Sequence, residues 1–254
     1  MTPTTDLNIK PAIVVGASRG LGRGIAIALA QTGRPVIAVA RSGAELTALA
    51  DQAGNIRPEI ADATDPTVAG SLLEKYEPEV IVLVAGATPH MRSLQEQTWE
   101  TFSVNWETDV RIAFQWLRET LLTPLAPGSK VIVISSGAAL NPNGSPLTGG
   151  YAGAKATQRF ITGYAHAEAN RAGLEITFTT VLPQFAPLTG VGKPAVAAYA
   201  TQAGLPVEEF LTTRPFPPIT PEIAGDAIVE LTQTDAANLA PSYMPDGGGL
   251  HKLP

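Results

Sequence analysis

The chain has 254 residues, of which 44% are hydrophobic and 16% are charged. Its 17 basic and 23 acidic residues give a formal net charge of −6, and it contains no cysteine. This composition argues against nucleic acid or an anionic membrane surface as a partner, and it excludes disulfides, thiolate metal sites and a cysteine nucleophile.

Short apolar runs alternate with amphipathic stretches along the chain. This alternation predicts an α/β fold, in which a Rossmann-like doubly wound parallel sheet of about seven strands is flanked by helices on both faces. We expect one dinucleotide-binding domain over residues 1–254, with ligands at the carboxyl ends of the strands. The predicted strands are 12–15, 35–40, 56–60, 80–85, 130–135, 176–181 and 242–244. The predicted helices are near 21–31, 44–53, 66–76, 105–122, 151–172 and 221–233.

The first predicted strand leads into a glycine-rich turn, Gly16-Ala-Ser-Arg-Gly20-Leu-Gly22. The turn opens an amphipathic stretch in which Leu21, Ile25 and Leu29 recur every four residues. Because it lies between a strand and a helix, its backbone N–H groups and the helix N-terminus can receive a pyrophosphate. The turn therefore predicts a dinucleotide site.

Tyr151 and Lys155 lie four residues apart in a stretch that predicts a helix. At this spacing both side chains project from one face, about one turn apart, which places an ammonium group beside a phenol. A phenol is a competent acid but a poor base at neutral pH, and a nearby ammonium group favours the phenolate. The pair is suited to moving a proton in either direction.

Residues 183–221 interrupt the alternation, because eight of these 39 residues are proline. Proline argues against a long helix, so we expect short helices in an excursion at about 184–219 that closes over a substrate. Its side chains are mostly apolar and few are charged, which predicts a neutral, hydrophobic or aromatic substrate. The alternative is that these side chains anchor the segment to the body or to another subunit. They are Phe185, Leu188, Val191, Val196, Tyr199, Leu205, Phe210 and Leu211.

The glycine-rich turn and the Tyr-x-x-x-Lys motif, with Ser136 upstream of the second, resemble the short-chain dehydrogenase/reductase superfamily in its short single-domain branch. The order of the motifs is more specific than either motif alone. The resemblance spans nearly the whole chain and extends to Asp62, Ala85-Gly86, Asn105, Pro183 and residues 246–249.

The resemblance implies an NADP(H)-dependent oxidoreductase that reduces a ketone or aldehyde, or oxidises the alcohol, by hydride transfer. Tyr151 would be the general acid/base, assisted by Lys155, Ser136 and Asn105. Ser136 would hydrogen-bond the substrate oxygen, and Asn105 would help to hold a water between Lys155 and solvent. Of two adjacent serines only one can reach the site, so Ser135 is expected to bond to backbone. The alternative is a non-catalytic NADP-binding sensor or scaffold protein with the same fold.

Cofactor choice depends on the end of the second predicted strand, where NAD-selective relatives carry an acid and this chain has Ala40-Arg41-Ser42. Arg41 and Arg19 could together bind a 2′-phosphate, so NADP(H) is favoured over NAD(H). Asp62 resembles the residue that accepts the adenine amino group, the alternative being a helix cap before Pro66. The implied cofactor-binding residues are Gly16, Ser18, Arg19, Gly20, Leu21, Gly22, Arg41, Ser42, Asp62, Ala85, Gly86, Tyr151, Lys155, Pro183 and Thr189.

Three departures from the family pattern stand near the site: Val84 before Ala-Gly, Gln184 after Pro183, and a spacing of 15 residues from Ser136 to Tyr151. The extra length of that spacing lies in a turn-rich insertion at 141–146. The predicted substrate contacts are Ser136, Tyr151, Gln184, Phe185, Leu188 and Tyr199.

The remaining expectations concern partners and location. No metal is expected at the site, because the three histidines lack a metal-ligand spacing. No apolar run reaches the roughly 18 residues of a membrane span, so we expect a cytoplasmic protein without a membrane partner. Its partner is a small molecule, and the middle helix implies a homodimer or homotetramer by resemblance.

Overall fold

A computed structural model describes residues 9–141, 146–213, 217–246 and 248–253 of the protein. Parts of three predicted features lie outside these ranges: residues 142–145 of the insertion, residues 214–216 of the proline-rich excursion, and Gly247.

Eight strands form the central sheet. They are β1 (Ala12–Val15), β2 (Val36–Ala40), β3 (Ile56–Ile60), β4 (Val80–Leu83), β5 (Lys130–Ile134), β6 (Thr177–Val181), β7 (Ser242–Asp246) and β8 (Gly249–Leu253). Their order is β3-β2-β1-β4-β5-β6-β7-β8, and all neighbours are parallel except the antiparallel pair β7 and β8. The strand order changes direction between β1 and β4, which leaves a crevice at their carboxyl ends where ligands bind in this kind of sheet.

The described α-helices cover both faces of the sheet. They are α1 (Gly20–Gln31), α2 (Gly43–Ala50), α3 (Val68–Tyr76), α4 (Trp99–Asn105), α5 (Arg111–Leu122), α6 (Gly149–Arg171), α7 (Gly192–Ala203), α8 (Val207–Thr212) and α9 (Pro221–Gln233). Alternate strand residues point to opposite faces. In β1, Val14 packs with residues of α1, α2 and α9, whereas Ile13 packs with residues of α3, α5 and α6. The continuous apolar runs of the strands reflect this burial on both sides.

The predicted doubly wound α/β fold is confirmed, and each of the seven predicted strands is present. The eighth, β8, was not predicted, because its sequence Gly-Leu-His-Lys-Leu is largely exposed and lacks a buried alternation. Among the described strands, β8 pairs only with β7.

Two helix predictions need correction. The predicted helix near 105–122 is interrupted by a π-helical turn, Trp106–Val110, between α4 and α5. In the proline-rich excursion, α7 has 12 residues, so proline did not prevent a helix of ordinary length. Pro194 stands in the first turn of α7, where an N–H group has no partner within the helix, so its missing donor costs nothing.

Candidate active site

A cleft of about 1280 Å³ opens at the carboxyl ends of the strands, at the point where the strand order reverses. The glycine-rich turn lies on one side, and the ends of β4 and β5, the start of α6 and the proline-rich excursion lie on the other. Every predicted site residue lines this cleft except Asn105 and Leu188. The structure therefore brings most of the predicted site together.

Close backbone packing shapes the glycine-rich turn. Gly16 has a φ of +96° and Gly20 a φ of +54°, which favour glycine. A Cβ on Gly22 would lie 2.1 Å from the carbonyl oxygen of Gly16, so the turn tolerates no side chain there. Helix α1 carries no acidic residue in its first turn. Its N-terminal N–H groups and positive dipole end are suited to a phosphate.

Arg19 and Arg41 line the same cleft as the glycine-rich turn. Among the described residues, no hydrogen bond or close ion pair engages either guanidinium group. Four acids also line the cleft, and they are Glu45, Asp62, Glu107 and Asp109. As predicted, no acid stands at the end of β2 to favour NAD over NADP. Acids from other segments nevertheless line the same cleft, because the tertiary structure brings them there.

Asp62 does not cap a helix, because α3 begins only at Val68. Its Oδ1 accepts hydrogen bonds from the Thr64 backbone N–H, at 3.0 Å, and from the Thr64 hydroxyl, at 2.7 Å. These two hydrogen bonds, with a smaller effect of the Arg41 charge, hold the pKa of Asp62 below its usual value. The alternative of a helix cap is thereby removed, and the side chain faces the cleft as a carboxylate acceptor.

Ser136, Tyr151 and Lys155 meet at the base of the cleft. The Lys155 Nζ lies 5.6 Å from the centroid of the Tyr151 ring. Ser136 follows β5, and its oxygen accepts a hydrogen bond from the Ala138 N–H at 3.2 Å, which leaves the hydroxyl proton to donate. The Ser135 hydroxyl donates to the Lys155 carbonyl oxygen at 2.8 Å, in agreement with its predicted backbone role. The Ser136 and Tyr151 hydroxyls therefore line one cleft, with the Lys155 ammonium group beside the Tyr151 ring.

Sequence reasoning missed Asp109, which forms a buried ion pair with Lys155. Asp109 Oδ2 lies 3.0 Å from Lys155 Nζ, and their side chains are 1% and 5% exposed. A signal was present, because Asp109 shares the i, i+3, i+4, i+7 stripe of Ile112, Ala113 and Trp116, all of which are buried. An acid on such a stripe needs a buried partner.

Lys155 stays charged in this environment. Burial lowers the pKa of Lys155, but the charge of Asp109, the charge of Tyr151 and the hydrogen bond to Asp109 together outweigh this effect, so the pKa is raised above its usual value. The ammonium group also donates to Gln158 Oε1 at 2.9 Å and to the Ile134 carbonyl oxygen at 3.5 Å. Gln158 in turn donates to the Asp109 carbonyl oxygen at 2.9 Å.

The structure corrects the predicted place of Asn105. This side chain is buried outside the cleft and donates to the Ala87 carbonyl oxygen at 2.8 Å and to Asp109 Oδ1 at 3.3 Å. It lies one helical turn before Asp109, so its amide reaches the carboxylate and not Lys155. The role of Asn105 in holding a water between Lys155 and solvent stays a prediction.

Leu188 is the second correction. It lies in a turn after Pro187, is 67% exposed, and does not line the cleft. The prediction took its apolar character as a sign of substrate contact. A loop has no fixed periodicity, however, so hydrophobicity alone does not give the direction of a side chain.

The proline-rich excursion forms the outer wall of the cleft. Val196, Ala200 and Phe210 pack into a small core of their own, with Leu205 and Leu211 at its edge. Many of the apolar side chains of the excursion therefore pack between α7 and α8.

Several side chains of this wall still face the cleft, including Phe185 and Tyr199. The Tyr199 hydroxyl lies 3.2 Å from Thr148 Oγ1, which links α7 to the start of α6. Gln184 also lines the cleft, with its amide nitrogen against the Met244 sulfur. Thr189 donates to the Ala186 carbonyl oxygen and accepts from the Gly192 N–H, so its hydroxyl also shapes the excursion.

No described helix combines the length and the apolar character needed to cross a bilayer. No group of three or more histidine, aspartate or glutamate side chains in the described ranges is placed to hold a metal ion.

Comparison with known proteins yields several sequence relatives. The family model described as short chain dehydrogenase matches residues 10–199. The 3-oxoacyl-(acyl-carrier-protein) reductase FabG of Escherichia coli strain K12 is 30% identical over 185 residues, which cover 69% of this chain and 73% of that protein. D-erythrulose reductase of Gallus gallus is 28% identical over 139 residues, and the match spans 53% of this chain and 56% of that relative.

Solved structures share the fold at lower identity. An actinorhodin polyketide ketoreductase with NADPH has a TM-score of 0.78 at 22% identity, covering 92% of this chain and 94% of that chain. A metagenomic short-chain oxidoreductase in complex with NADP has a TM-score of 0.70 at 18% identity. The match covers 94% of this chain and 97% of that chain. Because the family model matches well over half of the chain, the chain belongs to the short chain dehydrogenase family.

Proposed function

We propose that the protein is an NADP(H)-dependent reductase of a ketone or aldehyde, able to oxidise the corresponding alcohol in reverse. The observation that carries the proposal is the meeting of Ser136, Tyr151 and Lys155 in the same cleft as the glycine-rich turn. A sensor or scaffold that only binds the dinucleotide has no need of this proton-transfer set.

The residues of the cleft fit a dinucleotide. Gly16 and Gly22 pack closely against backbone, which fixes the turn beside the start of α1, where N–H groups suit a pyrophosphate. Arg19 and Arg41 supply positive charge for a 2′-phosphate, and Asp62 supplies an acceptor. When bound, the cofactor supplies the hydride for carbonyl reduction.

The protein's own contribution is to hold the carbonyl and deliver a proton. The Ser136 hydroxyl donates a hydrogen bond to the substrate oxygen as negative charge develops there. The Tyr151 hydroxyl transfers its proton to that oxygen in reduction and accepts one from the alcohol in oxidation. Lys155, charged and buried beside the ring, favours the phenolate that remains after transfer. Phe185 and Tyr199 limit the access of water to the outer part of the cleft.

The proposal is tested by following NADPH absorbance with a panel of carbonyl compounds and purified protein. Turnover of at least one ketone or aldehyde, lost in Tyr151→Phe, supports a reductase. Tight NADPH binding without turnover across neutral, acidic and phosphorylated carbonyl compounds supports the sensor alternative.

We predict that NADPH is preferred over NADH by at least about tenfold in kcat/KM, which needs only about 1.4 kcal/mol of discrimination. Arg41→Ala should remove most of this preference by raising the KM for NADPH and leaving that for NADH nearly unchanged. The measurement is steady-state kinetics with both cofactors.

The matched control for Arg41→Ala is Arg23→Ala. Arg23 is a partly exposed arginine of α1 that donates to the carbonyl oxygens of Glu45 and Ala48 and does not line the cleft. It should leave the ratio unchanged. An unchanged ratio in Arg41→Ala would show that the phosphate is bound elsewhere.

We also predict that neutral aryl or alkyl ketones are better substrates than small oxo acids or phosphosugars. Phe185, Val196, Tyr199 and Phe210 line the outer cleft, where they bury apolar surface and offer few partners to an ionised group. The measurement is kcat/KM across compounds matched in size but differing in charge. Charged oxo acids that outperform the neutral ketones would refute this specificity.

We further propose a homo-oligomer. Phe114 and Leu122 of α5 and Phe160 and Tyr164 of α6 are large apolar side chains exposed on helices that pack against each other. Burying them between copies of the chain would remove this surface from water. Light scattering after size exclusion gives the mass, and a monomer at micromolar concentration would contradict the proposal.

A further inference from the structure

Asp109 is held rigidly by groups other than Lys155. Its Oδ1 accepts the Ala87 N–H at 2.8 Å and the Asn105 side-chain amide at 3.3 Å. Gly86 makes the space for it, because a Cβ on that glycine would lie 2.7 Å from Asp109 Oδ2. The carboxylate is therefore fixed to the segment after β4, and its second oxygen is left facing the lysine.

The ammonium group of Lys155 is directed toward the protein interior. Its partners are Asp109 Oδ2 at 3.0 Å, Gln158 Oε1 at 2.9 Å and the Ile134 carbonyl oxygen at 3.5 Å. The contact with Asp109 is an ion pair, and the other two are hydrogen bonds. The centroid of the Tyr151 ring, at 5.6 Å, is farther from Nζ than the carboxylate is.

We propose that Asp109 is a positioning residue that compensates the charge of Lys155 and thereby biases the active site toward carbonyl reduction. The inference rests on the proposed function. An isolated ammonium group would draw the proton off the neighbouring phenol. An adjacent carboxylate turns that single charge into a dipole, whose effect at the phenol is smaller. Reduction needs the phenol as an acid, whereas oxidation needs the phenolate as a base.

Other charges near the pair are few. The charged and titratable groups that act on the Lys155 ammonium are Asp109, from the turn between α4 and α5, and Tyr151, from its own helix. The other acids and bases lining the cleft are Glu107 from the same turn, Arg19, Arg41, Glu45 and Asp62. No described residue among these five forms a close ion pair with Lys155, so the compensation falls to Asp109.

The test compares pH profiles of alcohol oxidation for the wild type and Asp109→Asn. Tyr151 and Lys155 titrate together as a coupled pair. Without the negative charge of Asp109 the pair is easier to deprotonate, so it loses a proton at lower pH, whether the phenol or the ammonium group releases it. We expect the half-maximum of oxidation to fall by about one pH unit, equivalent to a tenfold change in the active fraction. The high-pH decline of reduction should move the same way. A midpoint that is unchanged or higher would overturn the proposal.

Gln158→Met is the matched control. It removes another buried partner of Lys155 but changes no charge. Its oxidation midpoint should stay that of the wild type, whatever its rate. An equal shift in this variant would show that loss of a contact, rather than loss of charge, moves the profile, and would also overturn the proposal.

If Asp109→Asn fails to fold, a urea denaturation series still tests the pair, because the double variant with Lys155→Met should fold. Lys155→Met leaves a buried carboxylate unpaired, and Asp109→Asn leaves a buried ammonium group unpaired. The double variant removes both charges and should be more stable to urea than either single variant. If the double variant is no more stable than the single variants, Asp109 stabilises the protein only through its contacts with Ala87 and Asn105 and not through Lys155. Because this series needs no turnover, failure of the proposed function gives a different result from failure of the pair.

Discussion

Tyr151→Phe is expected to lower kcat by about two to four orders of magnitude while NADPH still binds. The substitution removes the hydroxyl that donates the proton and changes little else, because the ring keeps its size and its place on α6. The Lys155 ammonium remains charged beside Asp109 and cannot replace the phenol, since it is engaged by oxygens of Asp109, Ile134 and Gln158. Steady-state reduction gives kcat, and the fluorescence of bound NADPH gives its affinity.

Tyr164→Phe is the control for this experiment. Tyr164 is on the same helix, is 56% exposed and does not line the cleft, so the same chemical change should leave kcat unchanged. A Tyr151→Phe enzyme that works at a near-normal rate would contradict the proposed mechanism. A loss of NADPH binding in that variant would instead show that Tyr151 supports the cofactor.

Gly22→Ala should raise the Kd for NADPH at least about 100-fold, equivalent to about 2.7 kcal/mol. The new Cβ would lie 2.1 Å from the Gly16 carbonyl oxygen and 2.9 Å from the Gly16 carbonyl carbon. Both are backbone atoms, so the turn itself must open, and the N–H groups that face a phosphate move with it. We also expect a loss of about 1–3 kcal/mol in the free energy of unfolding, as in other overpacked sites. Fluorescence titration and urea denaturation measure the two effects.

Gly163→Ala is the matched control for the glycine experiment. Gly163 is an exposed position of α6 with no heavy atom within 4 Å of a Cβ built there. Alanine should leave NADPH binding unchanged and stabilise the helix by about 0.5–1 kcal/mol. If Gly22→Ala binds NADPH as well as this control does, the close packing of the turn is not required for the cofactor.

Local patterns predicted those parts of the fold that depend on near neighbours. The strands could be read from apolar runs because a parallel sheet buries both faces, and Ile13 and Val14 illustrate the two layers. The glycine-rich turn could be read because Gly16 and Gly20 adopt positive φ values that a local motif requires. The spacing of Tyr151 and Lys155 likewise describes one helical face.

Features that depend on distant residues were harder to predict. Asp109 belongs to the π-helical turn between α4 and α5, whereas its partner Lys155 belongs to α6. In the proline-rich excursion, Leu188 and Phe210 are both apolar, yet one is exposed and the other is buried against α7. The spacing of apolar residues does not distinguish the two, because the excursion packs partly on itself and not on the sheet.

By itself, the sequence determined the order of strands and helices, the turn suited to a dinucleotide and the pairing of a phenol with an ammonium group. All three follow from backbone geometry over a few residues. Only the tertiary structure decided which charges meet: Asp109 rather than Asn105 reaches Lys155, and Glu45 joins Arg41 and Asp62 at the cleft. The physical reason is that electrostatic interactions act through space and depend on burial, so they are fixed only when distant segments pack together.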